Sequence, residues 1–133
     1  MRTELHEIEV PGRGFVDLTS VVRRFASAGG DGLVNVFAPH ATVGVAVFET
    51  GSGSEEDLGS ILDDLLPRDR DYVHSHGSPG HGADHVLPAF LSPSVVIPAI
   101  GGQLQLGTWQ SIVAVDLNVD NTRRQVRLSF LEG

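Results

Sequence analysis

The stretch Gly32-Leu33-Val34-Asn35-Val36-Phe37-Ala38, then Pro39-His40-Ala41, then Thr42-Val43-Gly44-Val45-Ala46-Val47-Phe48, decides the fold class. Both flanks are rich in β-branched residues and alternate well enough to be strands. Pro39 lacks a ladder donor and interrupts them. The second strand is expected to run antiparallel to the first.

Working outward toward the N-terminus, Leu5, Ile8 and Val10 suggest a first strand with imperfect alternation. Pro11-Gly12-Arg13-Gly14 reads as a turn. Phe15 and Val16 lead into Asp17-Leu18-Thr19-Ser20, a helix start, and Val21, Val22, Phe25 and Ala26 recur at helical spacing before Gly29-Gly30. Toward the C-terminus, Ser54-Glu55-Glu56-Asp57 reads as a helix cap with acids in the first turn. Leu58, Ile61, Leu62, Leu65 and Leu66 form that helix's apolar stripe, and Pro67 ends it. Residues 68–83 form a polar, Gly- and His-rich loop, long enough to suggest function or disorder. A short helix is expected over Ala83–Leu91, weakened by Pro88. Ser94–Ile100, Gln103–Leu106, Ser111–Val119 and Gln125–Leu131 read as strands, with Gly101-Gly102 a hairpin turn. The expectation is one α+β domain over residues 1–133, with roughly seven to nine strands and two or three helices.

The 133-residue chain is 41% hydrophobic and 20% charged, which suits a globular core. No apolar run reaches the roughly 18 residues of a membrane span. The N-terminal Met1-Arg2-Thr3-Glu4-Leu5-His6-Glu7 has no apolar leader core, so the expected location is cytoplasmic, away from membranes. Cysteine is absent, which excludes disulfides, thiolate catalysis and Cys-based metal sites. Lysine is absent too, which excludes Schiff-base chemistry and the phosphate-loop lysine. The net charge of −8 argues against nucleic acid as a partner. Arg123, Arg124 and Arg127 nevertheless leave a local cationic site near the C-terminus.

Four of the six histidines fall between residues 74 and 85. His74 and His76 share a side if the chain is extended. His81 and His85 lie about one helical turn apart. Such a set suits an imidazole metal site, zinc first, with a position left open for water or substrate. The alternative is a group of solvated loop histidines. His40, directly after a strand and beside Pro39, is placed to point into a cleft, whereas His6 reads as structural or exposed. Glu49 ends an apolar strand and Asp57 lies in a helical first turn. Either is a candidate base or a partner orienting a histidine, or serves strand-end and cap electrostatics alone. Gly107-Thr108-Trp109-Gln110 offers a flat aromatic surface beside hydrogen-bonding groups. It suits a heteroaromatic ring or a phosphate ester, or else is a turn held by a buried Trp.

Taken in order, these segments resemble the YjbQ-like family, often labelled secondary thiamine-phosphate synthases. Ala38-Pro39-His40-Ala41-Thr42 is similar to the family's H-T-[TS] segment, and Glu49 falls where the family has N-E-N. Asp57-Leu58 fits D-[LM], Tyr72-Val73-His74 fits Y-x-H, and His85-Val86-Leu87 fits H-[IL]-x. Gly101 to Gln110 fits G-x-L-x-L-G-T-W-Q, the most specific piece. Asp120 to Arg124 resembles D-G-x-R-x-R.

The resemblance implies packed, mostly antiparallel sheets, a homotrimer with sites near subunit interfaces, and a metal triad of His40, His74 and His85. His76 and His81 gain nothing from it. The implied activity joins a pyrimidine diphosphate to a thiazole phosphate, giving thiamine phosphate and pyrophosphate. In that reading Glu49 or Asp57 is the base or orients a ligand. Thr108, Trp109, Gln110, Arg123 and Arg124 bind a small phosphorylated substrate. An all-histidine site favours zinc, while diphosphate chemistry more often uses magnesium. The chain departs from the family pattern at Ala41, at Phe48 and Thr50 around Glu49, at Asp116 where Glu is usual, and at His81-Gly82-Ala83-Asp84-His85 in place of N-A-D-A-H. These changes keep the three ligands and alter the pocket wall. The competing classes are a non-catalytic trimeric binding protein and a metal-dependent hydrolase.

Overall fold

The computed structural model describes residues 1–10 and 14–133. The turn expected at Pro11-Gly12-Arg13 lies outside them. In chain order the elements are β1 (Arg2–Glu9), β2 (Gly14–Asp17), α1 (Thr19–Ala26), β3 (Gly32–Phe37), β4 (Val43–Phe48), α2 (Ser54–Leu65), α3 (His81–Phe90), β5 (Ser94–Ile100), β6 (Gln103–Leu104), β7 (Ser111–Asp116) and β8 (Arg123–Glu132). They form an α+β fold with two antiparallel sheets, ordered β1-β8-β3-β5-β6 and β2-β7-β4.

The expected β3–β4 pairing does not occur. β3 pairs with β5 and β8 in one sheet, and β4 pairs with β7 in the other. Backbone bonding explains the split. Ala38 N donates to Pro93 O and Val45 N donates to Ser92 O, both at 2.8 Å. The 92–93 segment thus takes the donors that a hairpin would have used. Pro39 contributes none, and the chain crosses from sheet to sheet. The approach of residue 91 is tight enough to require glycine, since a Cβ on Gly44 would lie 2.6 Å from both Leu91 Cβ and Leu91 O.

The larger core lies between the sheets. Val34, Val36, Val126, Leu128 and Phe130 meet Val22 and Phe25 of α1 and the Ile112/Ala114 face of β7. The other β7 face, Val113 and Val115, packs under α2 and α3 with Leu62, Leu66, Ala83 and Leu87. With both faces covered, β7 is buried from Ile112 to Asp116, which is why its sequence is a near-continuous apolar run. Each fully buried Leu or Ile here contributes roughly 1.5–3 kcal/mol by leaving water.

Two local expectations change at α2. Its N-cap is Gly53 at φ +99°, and Ser54 is the first helical residue with no side-chain cap bond. Glu55 instead reaches back to accept from Gly51 N at 3.0 and 3.1 Å. Of its apolar stripe, Leu62 and Leu66 are buried while Ile61 and Leu65 are exposed. The Gly101-Gly102 turn has two positive φ angles, 57° and 76°, as a two-residue hairpin turn requires. α3 begins at His81, two residues earlier than expected, and continues past Pro88 for only two residues. No helix among the described residues is long and apolar enough to cross a membrane.

Candidate metal centre

The loop from Pro67 to Gly80 is held against the start of α3 by a buried carboxylate. Arg68 grips Asp84 through Nη1 at 2.5 Å and Nη2 at 3.3 Å, and Nη2 also donates to Pro79 O at 3.2 Å. Asp84 is only 2% exposed, so the bidentate partner offsets the cost of burying its charge. Tyr72 donates its hydroxyl to Pro67 O at 2.9 Å. Gly82 lets the loop pass directly over the helix, since a Cβ there would meet Tyr72 Cβ at 2.6 Å and His74 O at 2.9 Å.

This clamp gathers the histidines. His74 and His85 stack with ring centres 4.3 Å apart, and His81 meets His85 edge-on at 4.5 Å. His85 Nε2 and His81 Nε2 are 2.9 Å apart. One ring nitrogen from each of His74, His81 and His85 lies within 4.8 Å of the others. The helix supplies two of them because positions 81 and 85 are one turn apart on the same face.

The donor chemistry fits a metal ion. His74 Nδ1 is buried with no hydrogen-bond partner, an arrangement that costs free energy unless something binds there. His81 Nδ1 faces Asp120 Oδ2 at 3.3 Å and Asn118 Nδ2 at 3.2 Å. Asn118 Oδ1 is engaged by Asp120 N at 2.6 Å, which orients the amide nitrogen toward the ring. Nδ1 accepts from Asn118 when it is bare and donates to Asp120 Oδ2 when it carries the proton, and ligation of an ion through Nε2 selects the second arrangement. Burial lowers the His85 pKa, the neighbouring His74, His81 and His76 rings lower it further, and Asp84 opposes them. The neutral form, the one able to ligate, is thereby favoured. The three-histidine cluster could bind a metal ion.

His40, the third ligand of the expected triad, does not join this group; the structure places His81 there instead. His40 Nε2 lies 2.8 Å from Gln125 N and accepts its hydrogen, so the ring proton sits on Nδ1. Burial first, then the Arg124 guanidinium, lowers its pKa against the opposing Gln125 carbonyl and Asp116. Arg124, expected at substrate, is 8% exposed and spent inside the protein. Its Nε donates to Asp116 Oδ2 at 2.6 Å and its Nη2 to Thr42 Oγ1 at 3.1 Å. Arg123 is exposed and lies beside Glu7 and Glu9 on β1.

The other expected residues sit elsewhere. Glu49 and Asp57 are exposed. Thr108, Trp109 and Gln110 are exposed in the loop before β7, where Gly107 N donates to Gln110 Oε1 at 2.7 Å. Trp109 is 74% exposed, so it is not a buried turn anchor. This loop and Glu49 flank one end of the β4–β7 pair, where Thr50 Oγ1 meets Ser111 Oγ at 3.0 Å. Asn118 and Asp120, with the histidine cluster, follow the other end of β7. The strand between, Ser111–Asp116, spans about 17 Å at the usual rise per residue. Sequence reasoning paired His81 with His85 and then set His81 aside on the family resemblance; it gave Asp120 no place at the histidines and did not single out Arg68. The His81–His85 spacing was a signal for the first; the others depend on contacts between distant segments.

The model of the UPF0047 YjbQ-like family matches residues 5–133. The chain belongs to the YjbQ-like family. It is 62% identical over 133 residues to UPF0047 protein Rv2556c of Mycobacterium tuberculosis, covering 100% of both chains. It is 34% identical over 111 residues to a UPF0047 protein of Archaeoglobus fulgidus, covering 84% of this chain and 86% of that one. Among solved structures it is similar to APE1520 from Aeropyrum pernix K1, at TM-score 0.91 and 30% identity with both chains covered at 100%. A YjbQ/UPF0047 protein of Clostridium acetobutylicum superposes at TM-score 0.87 with 26% identity, covering 96% and 99%. These relatives establish the two-sheet YjbQ-like fold and carry no stated activity.

Proposed function

We propose that this YjbQ-like protein is a zinc-binding protein acting on a small phosphorylated molecule, by a transfer of the thiamine-phosphate synthase type. The observation that carries the reading is the convergence of His74, His81 and His85 nitrogens within 4.8 Å beside the unpartnered Nδ1 of His74. Three neutral imidazoles suit zinc better than magnesium, which prefers oxygen ligands. A divalent cation held there supplies positive charge against a phosphate or diphosphate oxygen.

The protein's own groups do the rest. Asp120 stands ready to accept from His81 Nδ1–H when Nε2 ligates the ion. The Arg68–Asp84 clamp holds the loop that carries His74. Arg70 lines the adjoining cleft, of about 300 Å³, and brings a cation within reach of an anionic group. Thr108, Trp109, Gln110 and Arg123 are the substrate contacts that the family resemblance suggests. Their distance from the cluster along β7 supports a homotrimer in which a neighbouring copy brings them to it. Exposed Leu33, Phe37, Val96, Ile100 and Leu131 on the five-stranded sheet support such assembly.

The test is metal content of untagged protein and of His85→Ala, followed by turnover on the pyrimidine diphosphate and thiazole phosphate. About one equivalent of zinc, lost in the variant, with pyrophosphate formed in step with thiamine phosphate, is the expected result. Phosphate or pyrophosphate release without coupling would identify a hydrolase. Bound zinc without turnover would leave a binding protein. No zinc after reconstitution and dialysis would overturn the reading.

A further inference from the structure

A fourth imidazole stands at the rim of the cluster. His76 is exposed, with its ring centre 3.9 Å from His74, 5.5 Å from His81 and 6.2 Å from His85. Its nitrogens are not part of the tight group that His74, His81 and His85 form. Those three are held by the helix, the clamp, or a partner such as Asp120. Among the described residues nothing hydrogen-bonds the His76 ring, whose neighbours are the other imidazoles.

The backbone keeps it there. Gly77 has φ +85°, and a Cβ on it would lie 2.7 Å from the His81 ring. The chain must therefore turn immediately after His76 and press against His81. A non-glycine residue would strain the turn and push the segment away. An exposed imidazole held beside the cluster by its backbone, with neighbouring imidazoles as its ring contacts, has the placement of a ligand that comes and goes. Three histidines leave a zinc-type ion one ligand short of its usual four.

We propose that His76 is the displaceable fourth ligand of the histidine centre, occupying the open position at rest and leaving it when an anionic ligand binds. This rests on the three-histidine metal reading above. It makes the resting centre a four-imidazole site, closed to small anions, and makes entry of substrate a competition with His76. A ligand that must displace an occupant binds more weakly by the fraction of time the position is open. If His76 holds it nine-tenths of the time, the loss is about tenfold.

Cobalt(II) reports this without any activity assay, because its visible spectrum responds to ligand number and type. Untagged wild type, His76→Ala and His85→Ala are loaded with cobalt and titrated with azide and with inorganic phosphate. The expected result is that His76→Ala keeps stoichiometric cobalt, shows an altered spectrum, and binds azide about tenfold more tightly than wild type. Identical spectra and azide affinities in wild type and His76→Ala would overturn the proposal while leaving the three-histidine centre intact. Loss of cobalt from His76→Ala as complete as from His85→Ala would also overturn it, by making His76 an obligatory ligand. Failure of wild type to bind cobalt would sink the metal reading and this proposal together.

Discussion

Replacing His81 and His40 separately by alanine decides which histidine completes the centre. His81→Ala removes a nitrogen 2.9 Å from His85 Nε2 and leaves His74 and His85 in place. If the free energy of a zinc site, about 10–16 kcal/mol, is shared among four ligands, one imidazole carries roughly 3 kcal/mol, or about two orders of magnitude in affinity. The fold should survive, because His81 is half-buried and at the first turn of α3. His40→Ala should behave in the opposite way. It deprives Gln125 N of its acceptor at 2.8 Å and opens space beside Arg124. A lost acceptor at a half-buried amide costs about 1–3 kcal/mol of stability. Zinc affinity should stay within about twofold of wild type, since no ligand is touched. Competition against a chromophoric chelator gives the affinities, and urea unfolding of the metal-free proteins gives the stabilities. If His40→Ala loses zinc as His85→Ala does while His81→Ala retains it, the assignment of His81 is wrong and the triad implied by family resemblance stands.

Arg124→Ala should destabilise by about 3–5 kcal/mol in urea unfolding, because it strands the fully buried Asp116 carboxylate without its partner at 2.6 Å; a loss under about 1 kcal/mol would show that water solvates Asp116. Gly44→Ala should cost about 1–3 kcal/mol by driving a methyl into Leu91 Cβ and its carbonyl, both 2.6 Å away, and an unchanged denaturation midpoint would refute that contact. Asp120→Ala should weaken zinc binding about tenfold in the chelator assay with little change in unfolding, since it removes the acceptor beside His81 Nδ1. In metal-free protein, His40 has a folded pKa below its ordinary 6.5, so its contribution is fully present above pH 6.5 and lost as pH falls through the folded value. Stability of wild type relative to His40→Gln should therefore decline on acidification below that point, and a constant difference would contradict the assignment.

What the sequence made legible follows from the range of the interactions. β3 and β5 formed where expected from local pattern and β-branched content, while β7 stops at Asp116 instead of Val119 and is an apolar run buried on both faces, and β8 extends to Arg123–Glu132. Sheet membership is a longer-range property. β3 and β4 are adjacent in sequence, yet Pro39 and the donors taken by residues 92–93 send them to different sheets. The α2 stripe was read as one apolar face, but Leu62 and Leu66 find β7 beneath them while Ile61 and Leu65 find no cover within the chain. The same rule governs the site. His81 and His85 were legible as a pair because a helix fixes their separation. His40 was legible as a strand-end histidine, but Gln125, which occupies its Nε2, lies 85 residues away. Asp120, behind His81, lies 39 residues from it, and its place in the segment that resembles D-G-x-R-x-R gave no hint of that contact.

The position of the two groups of candidate residues at opposite ends of β7 constrains any mechanism that would use both. One strand end carries Glu49, Thr50 and the Gly107–Gln110 loop; the other leads into Asn118, Asp120 and the histidines. β7 cannot bend to bring them together, because both its faces are packed, Ile112 and Ala114 into one core and Val113 and Val115 into the other. The helices offer no route either, since α2 and α3 lie along the same layer and are pinned to it by Leu62 and Leu87. A reaction needing the Trp109 indole beside the histidine cluster therefore needs two copies of the chain. A reaction confined to one copy must draw its polar groups from the cleft itself, where Arg70 supplies the positive charge and Asp71 a carboxylate, with Asp120 standing behind His81. Oligomeric state and chemistry are thus a single question for this fold.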